Sequence, residues 1–156
     1  MKTKRTYETY KLFFEEVNSH NKQGNYHHSF ILLYSFIEDR IDRIYRDQYR
    51  SKNNHLPSQS DMLNSLYRKL VDIDFHGLKI NPSYYDVMNK ISERRNELVH
   101  HALFNVHSVT KRDVDVLGKF GRKLNEIREK QKKRLPKVSK RQKLSFSMYG
   151  KLPKLV

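Results

Sequence analysis

The first two predicted helices are marked by apolar residues that recur three or four positions apart. The first covers residues 7–23 and is followed by Gly24, a residue typical of helix ends. The second covers residues 26–49, and its apolar stripe contains Phe30, Leu33, Ile37, Ile41 and Ile44. Charged residues lie between these apolar positions, and we expect them to cover the surface of the second helix as acid–base pairs: Glu38, Asp39, Arg40, Asp42 and Arg43.

The remaining helices follow a polar loop at residues 51–61. A short helix comes first. We expect its inward-facing side to carry Met62, Leu63, Leu66, Leu70 and Val71. Another is predicted at residues 83–103, with Pro82 placed to start it and Ser83 as a candidate cap. Thr110 is a candidate cap for the last helix, which runs to about Lys133. Because no stretch shows sustained strand alternation, the pattern predicts an all-α body of four long helices and one short helix.

The end of the chain has a different composition from this body. Residues 135–156 mix Pro, Gly, Ser and Lys with isolated apolar residues, so we expect a helical domain at 1–134 and a basic, flexible tail at 135–156. The formal net charge is +15, and residues 128–156 account for +10 of it, with eleven Lys or Arg and one acid. Such an excess favours polyanions, above all nucleic acid. The candidate RNA-binding residues are Lys132, Lys133, Arg134, Lys137, Lys140, Arg141 and Lys143. The competing interpretation is a tail that only increases solubility.

Composition also excludes several classes of site. The chain has no cysteine, so disulfides, thiolate metal sites and cysteine nucleophiles are excluded. No apolar run approaches the roughly 20 residues that span a bilayer, and the first ten residues lack a signal-peptide apolar region. We therefore expect a cytoplasmic protein with no membrane partner. The pairs His27–His28 and His100–His101 suggest a metal, but no third convergent ligand accompanies them, so we predict no metal and no cofactor.

The segment SERRNELVHHALF, residues 92–104, carries the candidate chemistry. At 100° per residue, Arg95 falls within the apolar side of its predicted helix, where a charge needs a partner or a polar cavity. His100 lies about 140° away on the same ideal helix, so periodicity alone does not bring the two side chains together. Arg94 and His101, seven residues apart, do share a face. Spacing alone does not decide whether Arg95 and His100 or Arg94 and His101 form the candidate pair.

Arg95 to His100, RNELVH, resembles the R-N-x-x-x-H form of the R-x(4–6)-H motif of HEPN (higher eukaryotes and prokaryotes nucleotide-binding) domains. The family is an all-α bundle about as long as residues 5–130, with its motif on a late helix. The resemblance implies a metal-independent endoribonuclease in a defence, stress or toxin role. Its composite site would form between two copies of the chain, which implies a homodimer with RNA as substrate. Arg95 and His100 would be the catalytic pair, and Asn96 their polar support.

Two further residues bear on this resemblance. Glu38 is a candidate partner for Arg95, although a solvated acid is an equally good interpretation. HEPN toxins whose antitoxin is a nucleotidyltransferase often carry a tyrosine two residues after the histidine, and Ala102 stands there in this chain. An antitoxin or regulatory protein remains an implied partner, but that mode of neutralisation is in doubt. A non-catalytic HEPN-like RNA-binding or scaffold protein, and a small basic nucleic-acid-binding bundle, are the alternative functions.

Overall fold

The computed structural model describes residues 2–75, 77–100 and 109–135, with side chains from residue 8 onward. Within these ranges the chain is helical and contains no strand, so the all-α prediction is confirmed. The helices are α1 Lys2–Lys22, α2 Tyr26–Asn53, α3 Gln59–Met62, α4 Leu66–Phe75, α5 Ser83–His100 and α6 Lys111–Arg134.

Helix α2 lies at the centre and packs against α1, α4, α5 and α6. Its predicted stripe, from Phe30 to Ile44, is buried at every position, as expected from the spacing. The facing helices contribute the rest of the core, which includes Leu70, Ile73, Met88, Ile91, Leu117 and Leu124. Each such side chain contributes about 1.5–3 kcal/mol on burial, so α2 is held by apolar contacts on several sides.

Helices α2 and α6 run parallel, and polar contacts fix their relative position. Gln131 is buried in α6 and donates from Nε2 to the Ile44 carbonyl at 2.9 Å and to Gln48 Oε1 at 3.3 Å. Arg128, one turn before Gln131 on α6, forms an ion pair with Asp47, which lies between Ile44 and Gln48 on α2. A buried amide without such partners would cost free energy, so these bonds favour one alignment of α6 on α2.

Arg40 departs from the expectation of a surface residue. Its exposed fraction is only 2%, and its guanidinium donates to Asp39, to Asn125 and to the Tyr10 hydroxyl. The guanidinium also lies 4.7 Å from the Tyr10 ring centroid. Burial, and next the nearby charge of Arg43, lower the pKa of Arg40 to about 10, so it remains charged at neutral pH. The surface prediction was wrong for Arg40 because α1 and α6 cover that side of α2.

Leu63 was also placed wrongly by the pattern. It is 82% exposed, whereas Leu70 of the same predicted stripe is fully buried. The difference arises because α3 ends at Met62 and α4 begins only at Leu66, so one helical periodicity does not run through the segment. Leu63 is the C-terminal cap residue of α3 and lies outside the stripe of α4.

The start of α6 confirms its predicted cap, but that of α5 does not. Thr110 accepts from the backbone N–H of Asp113, and the Asp113 carboxylate accepts from the N–H of Thr110. At α5, the side chain of Asn81 accepts from both the N–H and the hydroxyl of Ser83. Asn81 therefore caps α5 in place of Ser83, because it precedes Pro82 at the position where a side-chain oxygen meets the first free N–H groups.

Candidate functional site

Arg95 points from α5 toward α2. Its guanidinium carbon lies 5.8 Å from the ring centroid of Tyr34, and the side chain is half-buried. A guanidinium at this distance is attracted by the electron-rich face of the ring. The aromatic ring of α2 thus accounts for an arginine on the apolar side of α5.

Asn96 connects Arg95 to the outer side of α5. Arg95 Nη1 donates to Asn96 Oδ1 at 3.5 Å, a long hydrogen bond. Asn96 also lines an open depression of about 400 Å³ together with Glu93, Glu97 and His100. The structure therefore does not bring Arg95 and His100 into contact within one chain. Asn96, which lies between them in the sequence, accepts a hydrogen bond from Arg95 and lines the same depression as His100.

The depression around His100 is acidic. Of the described residues that line it, two are carboxylates, Glu93 and Glu97, and none is an arginine or lysine. Glu97 is paired with Arg94 Nη1 at 3.0 Å, and Arg94 Nη2 reaches Asp113 of α6 at 3.9 Å. Arg94 thus joins α5 to the first turn of α6. His101, which with Arg94 forms the alternative candidate pair, lies outside the described residues.

Glu38 lies in a charged group on the side of α2 that faces α4 and α5. Burial raises the pKa of the Glu38 carboxyl above its ordinary value, and the positive charge of Arg95 partly offsets this effect. Asp42, one turn along α2, raises the pKa further, while Lys69 of α4 lowers it. Lys69 is itself buried and donates to Asp42 at 2.6 Å. Glu38 is therefore an electrostatic neighbour of Arg95.

The candidate RNA-binding residues fall partly within the described chain. Lys132, Lys133 and Arg134 are exposed and form the last turn of α6, where Lys132 pairs with Glu129 at 3.1 Å. Cations at a helix C-terminus are also favoured by the helix dipole. The remaining candidates lie outside the described residues: Lys137, Lys140, Arg141 and Lys143.

Some relevant residues were not singled out in the sequence. Tyr34 follows Leu33 of the α2 stripe and is four residues before Glu38, a spacing that places it on the same side of α2 as Glu38. Glu93 and Glu97 are i and i+4 on α5, which signals a shared face, but no sequence feature tied that face to His100.

The paired histidines of α2 belong to a small aromatic group with α1. His28 lies 4.1 Å from His27 and 5.1 Å from His20, measured between ring centroids. Across the part of the chain that the structure describes, no group of three or more His, Asp or Glu side chains is arranged to hold a metal ion. Nor is any helix in that part both long and apolar enough to cross a membrane.

Comparison of the chain with known proteins finds no matching family model, no matching curated protein and no matching solved structure. The likeness to HEPN domains is therefore carried by the Arg95–His100 motif and its helical setting alone.

Proposed function

We propose that the protein is a metal-independent endoribonuclease of the HEPN type, which acts as a homodimer in a defence, stress or toxin role. The observation that carries the proposal is the arrangement around Asn96. This side chain accepts from Arg95 on the inner side of α5 and lines the depression that contains His100 on the outer side. Asn96 is thus shared between the hydrogen bond to Arg95 and the depression that His100 lines, near the end of α5.

The chemistry of this group suits RNA, which carries its own nucleophile in the 2′-hydroxyl. His100 would remove the 2′-hydroxyl proton or protonate the departing 5′-oxygen, since imidazole exchanges protons near neutral pH. Arg95 would hold the phosphate through its two terminal nitrogens and stabilise the negative charge of the transition state. The products are a 2′,3′-cyclic phosphate and a 5′-hydroxyl, and the roles require no metal ion.

A single copy of the chain supplies an incomplete site, which supports the homodimer. His100 is exposed beside two carboxylates, and the cation of the motif faces α2. Glu97 is paired with Arg94, but Glu93 opposes a phosphate there, and a second copy would bring a further positive charge to it. Val99, next to His100, is 53% exposed and gives this surface an apolar residue for a dimer contact.

The second candidate function is a non-catalytic HEPN-like RNA-binding or scaffold protein. The observation that favours it is the same acidic lining: Glu93 and Glu97 oppose phosphate binding at His100. In that case the motif would stabilise the interface between two copies, and the basic residues elsewhere on the chain would bind RNA. An antitoxin or another regulatory protein is a further proposed partner in either case.

The test is cleavage of a mixed-sequence RNA in the presence of EDTA by wild type, His100→Ala and Arg95→Ala. We expect each variant to lose at least 100-fold in rate, because removal of a proton-transfer group or a charge-stabilising donor has effects of about that size. His55→Ala and Arg68→Ala are the matched controls, since both residues are exposed and lie on other segments than α5, which carries the motif. These controls should cleave like wild type.

Two outcomes would reject the catalytic proposal: no cleavage by the wild type, or undiminished cleavage by both motif variants. Sedimentation of wild type should give twice the mass of one chain, and a monomer that cleaves RNA would contradict the composite site. Binding of RNA without cleavage would support the second function instead.

A further inference from the structure

Helix α6 presents a row of cations on the side opposite α2. At 100° per residue these cations lie within about 60° of Lys119. The row, called here the basic face of α6, consists of Arg112, Lys119, Arg122, Lys123, Lys130, Lys133 and Arg134. Each of the seven side chains is exposed, while the opposite side of α6 is buried on α2.

Few of these charges are neutralised. Lys123 pairs with Glu126 at 3.5 Å, and among the described residues no ion pair engages the other six. Asp115 and Glu126 are the two acids on the same side of α6. Seven cations against two acids along about 33 Å of helix give a sustained positive potential rather than a set of closed surface pairs.

We propose that the basic face of α6 binds the phosphate backbone of single-stranded RNA. A polyanion with regularly repeated charge fits a long row of cations, because each neutralised phosphate releases a counterion. The identity of the polyanion as RNA rests on the function proposed above; the presence of a phosphate-binding face does not. The basic face lies on α6 and shares only Lys133 and Arg134 with the predicted RNA-binding residues, so it adds a binding surface on the folded domain to the one predicted for the end of the chain.

The composition of this face favours a backbone contact over the alternatives. The single aromatic residue of α6, Phe120, is buried, so the face offers no ring on which a base would stack. A membrane-binding helix would present large apolar residues beside its cations, whereas the exposed side of α6 has only Val116, at 39% exposure. We therefore expect binding that is independent of base sequence and strongly dependent on salt.

The basic face also begins near the candidate site. Arg94 of α5 contacts Asp113 in the first turn of α6, next to Arg112. This contact holds the start of α6 beside α5, the helix that carries His100, and we expect a strand bound at the depression to continue along α6 toward Arg134. The face would hold the flanking nucleotides and leave the chemistry to α5.

The test measures fluorescence anisotropy of a labelled 20-nucleotide RNA at several salt concentrations, with His100→Ala as the parent so that the RNA stays intact. The added substitutions are Lys119→Gln, Arg122→Gln and Lys130→Gln together. Removing three phosphate contacts should lower the slope of log K against log salt by about 2 and weaken binding roughly 10- to 100-fold at 0.1 M salt. DNA of the same sequence should show the same change, since no sugar or base is read.

The matched control removes three exposed cations elsewhere, by Lys22→Gln, Lys79→Gln and Lys90→Gln. An equal fall in slope for this control, or an unchanged slope for the α6 variant, would overturn the inference. So would loss of binding to phosphatidylserine vesicles in the α6 variant with RNA binding unaffected, which would identify the face as a membrane contact. Because binding is measured without cleavage, an inactive wild type would reject the nuclease proposal and leave this result standing.

Discussion

The guanidinium of Arg95 lies over the ring of Tyr34, with 5.8 Å between the guanidinium carbon and the ring centroid. This relationship explains how α5 accommodates a charge on its apolar side. Tyr34 supplies the attractive surface, Glu38 supplies a nearby negative charge, and the half-buried position leaves the guanidinium partly in contact with water. Arg95 is thereby oriented by α2, and within the part of the chain that the structure describes no carboxylate forms a close ion pair with it.

The contact between Arg95 and Tyr34 predicts a measurable coupling. In a double-mutant cycle with Arg95→Gln and Tyr34→Leu, we expect a coupling free energy of about 0.5–1 kcal/mol in urea unfolding. Arg68→Gln combined with Tyr34→Leu is the control, because Arg68 pairs with Asp72 within α4. A coupling equal to that of the control would show that the ring does not hold Arg95.

Glu38 predicts a pH-dependent contribution to stability. Its pKa is raised in the folded protein above the ordinary value of 4.5, so the folded state binds the proton more tightly than the unfolded state. The contribution is therefore fully present below pH 4.5 and is lost as the pH rises through the folded-state pKa. Relative to Glu38→Gln, which cannot titrate, the wild type should lose stability as the pH rises above about 4.5. A difference that stays constant or increases with pH would contradict this.

Arg40 and Arg43 share Asp39 but differ in burial, which makes them a matched pair. Their side chains are 3% and 51% exposed, respectively. Arg40→Ala should lower the free energy of unfolding by about 1–3 kcal/mol, because it removes a buried side chain and its hydrogen bonds to Tyr10 and Asn125. Arg43→Ala should change it by about 0–1 kcal/mol. Urea unfolding followed by circular dichroism measures both, and similar values for the two variants would show that Arg40 is not enclosed.

Two glycines of α6 predict opposite effects of one added methyl group. At Gly118 the methyl would meet only the end of Arg122 at 3.8 Å, so Gly118→Ala should stabilise the helix by about 0.5–1 kcal/mol. At Gly121 the methyl would lie 3.2 Å from the Phe36 ring, which is packed against Phe13 and Phe14. Gly121→Ala should therefore destabilise by about 1 kcal/mol through overpacking. Equal stabilisation by both variants would contradict the close packing of α6 on α2.

The helices and the core of α2 were predictable because they depend on local spacing. Ile37, Ile41 and Ile44 repeat on one side of any helix that contains them, whatever packs against it. Arg40 was not predictable in the same way, since its charge suggested the surface. Its burial depends on Tyr10 and Asn125, which are 30 and 85 residues away in the chain. Contacts at such separations leave no periodic pattern in the sequence.

The candidate site was predictable in part for the same reason. Periodicity placed Arg95 on the inner side of α5 and showed that His100 lies on another side. It did not identify Tyr34 as the ring beneath Arg95, because that contact joins two helices. Nor did it show that Glu93 and Glu97 line the same depression as His100, because the motif does not specify which charged side chains lie around it in the fold.

The chemical nature of the RNA ends is the most direct test of the nuclease proposal. Wild-type protein and His100→Ala would be incubated with a mixed-sequence RNA in EDTA, and the termini of the products identified by mass spectrometry. The proposed roles of Arg95 and His100 predict 2′,3′-cyclic phosphate and 5′-hydroxyl ends from the wild type, none from His100→Ala, and no cleavage of DNA. Products with 5′-phosphate ends, or no products from the wild type, would contradict the proposal.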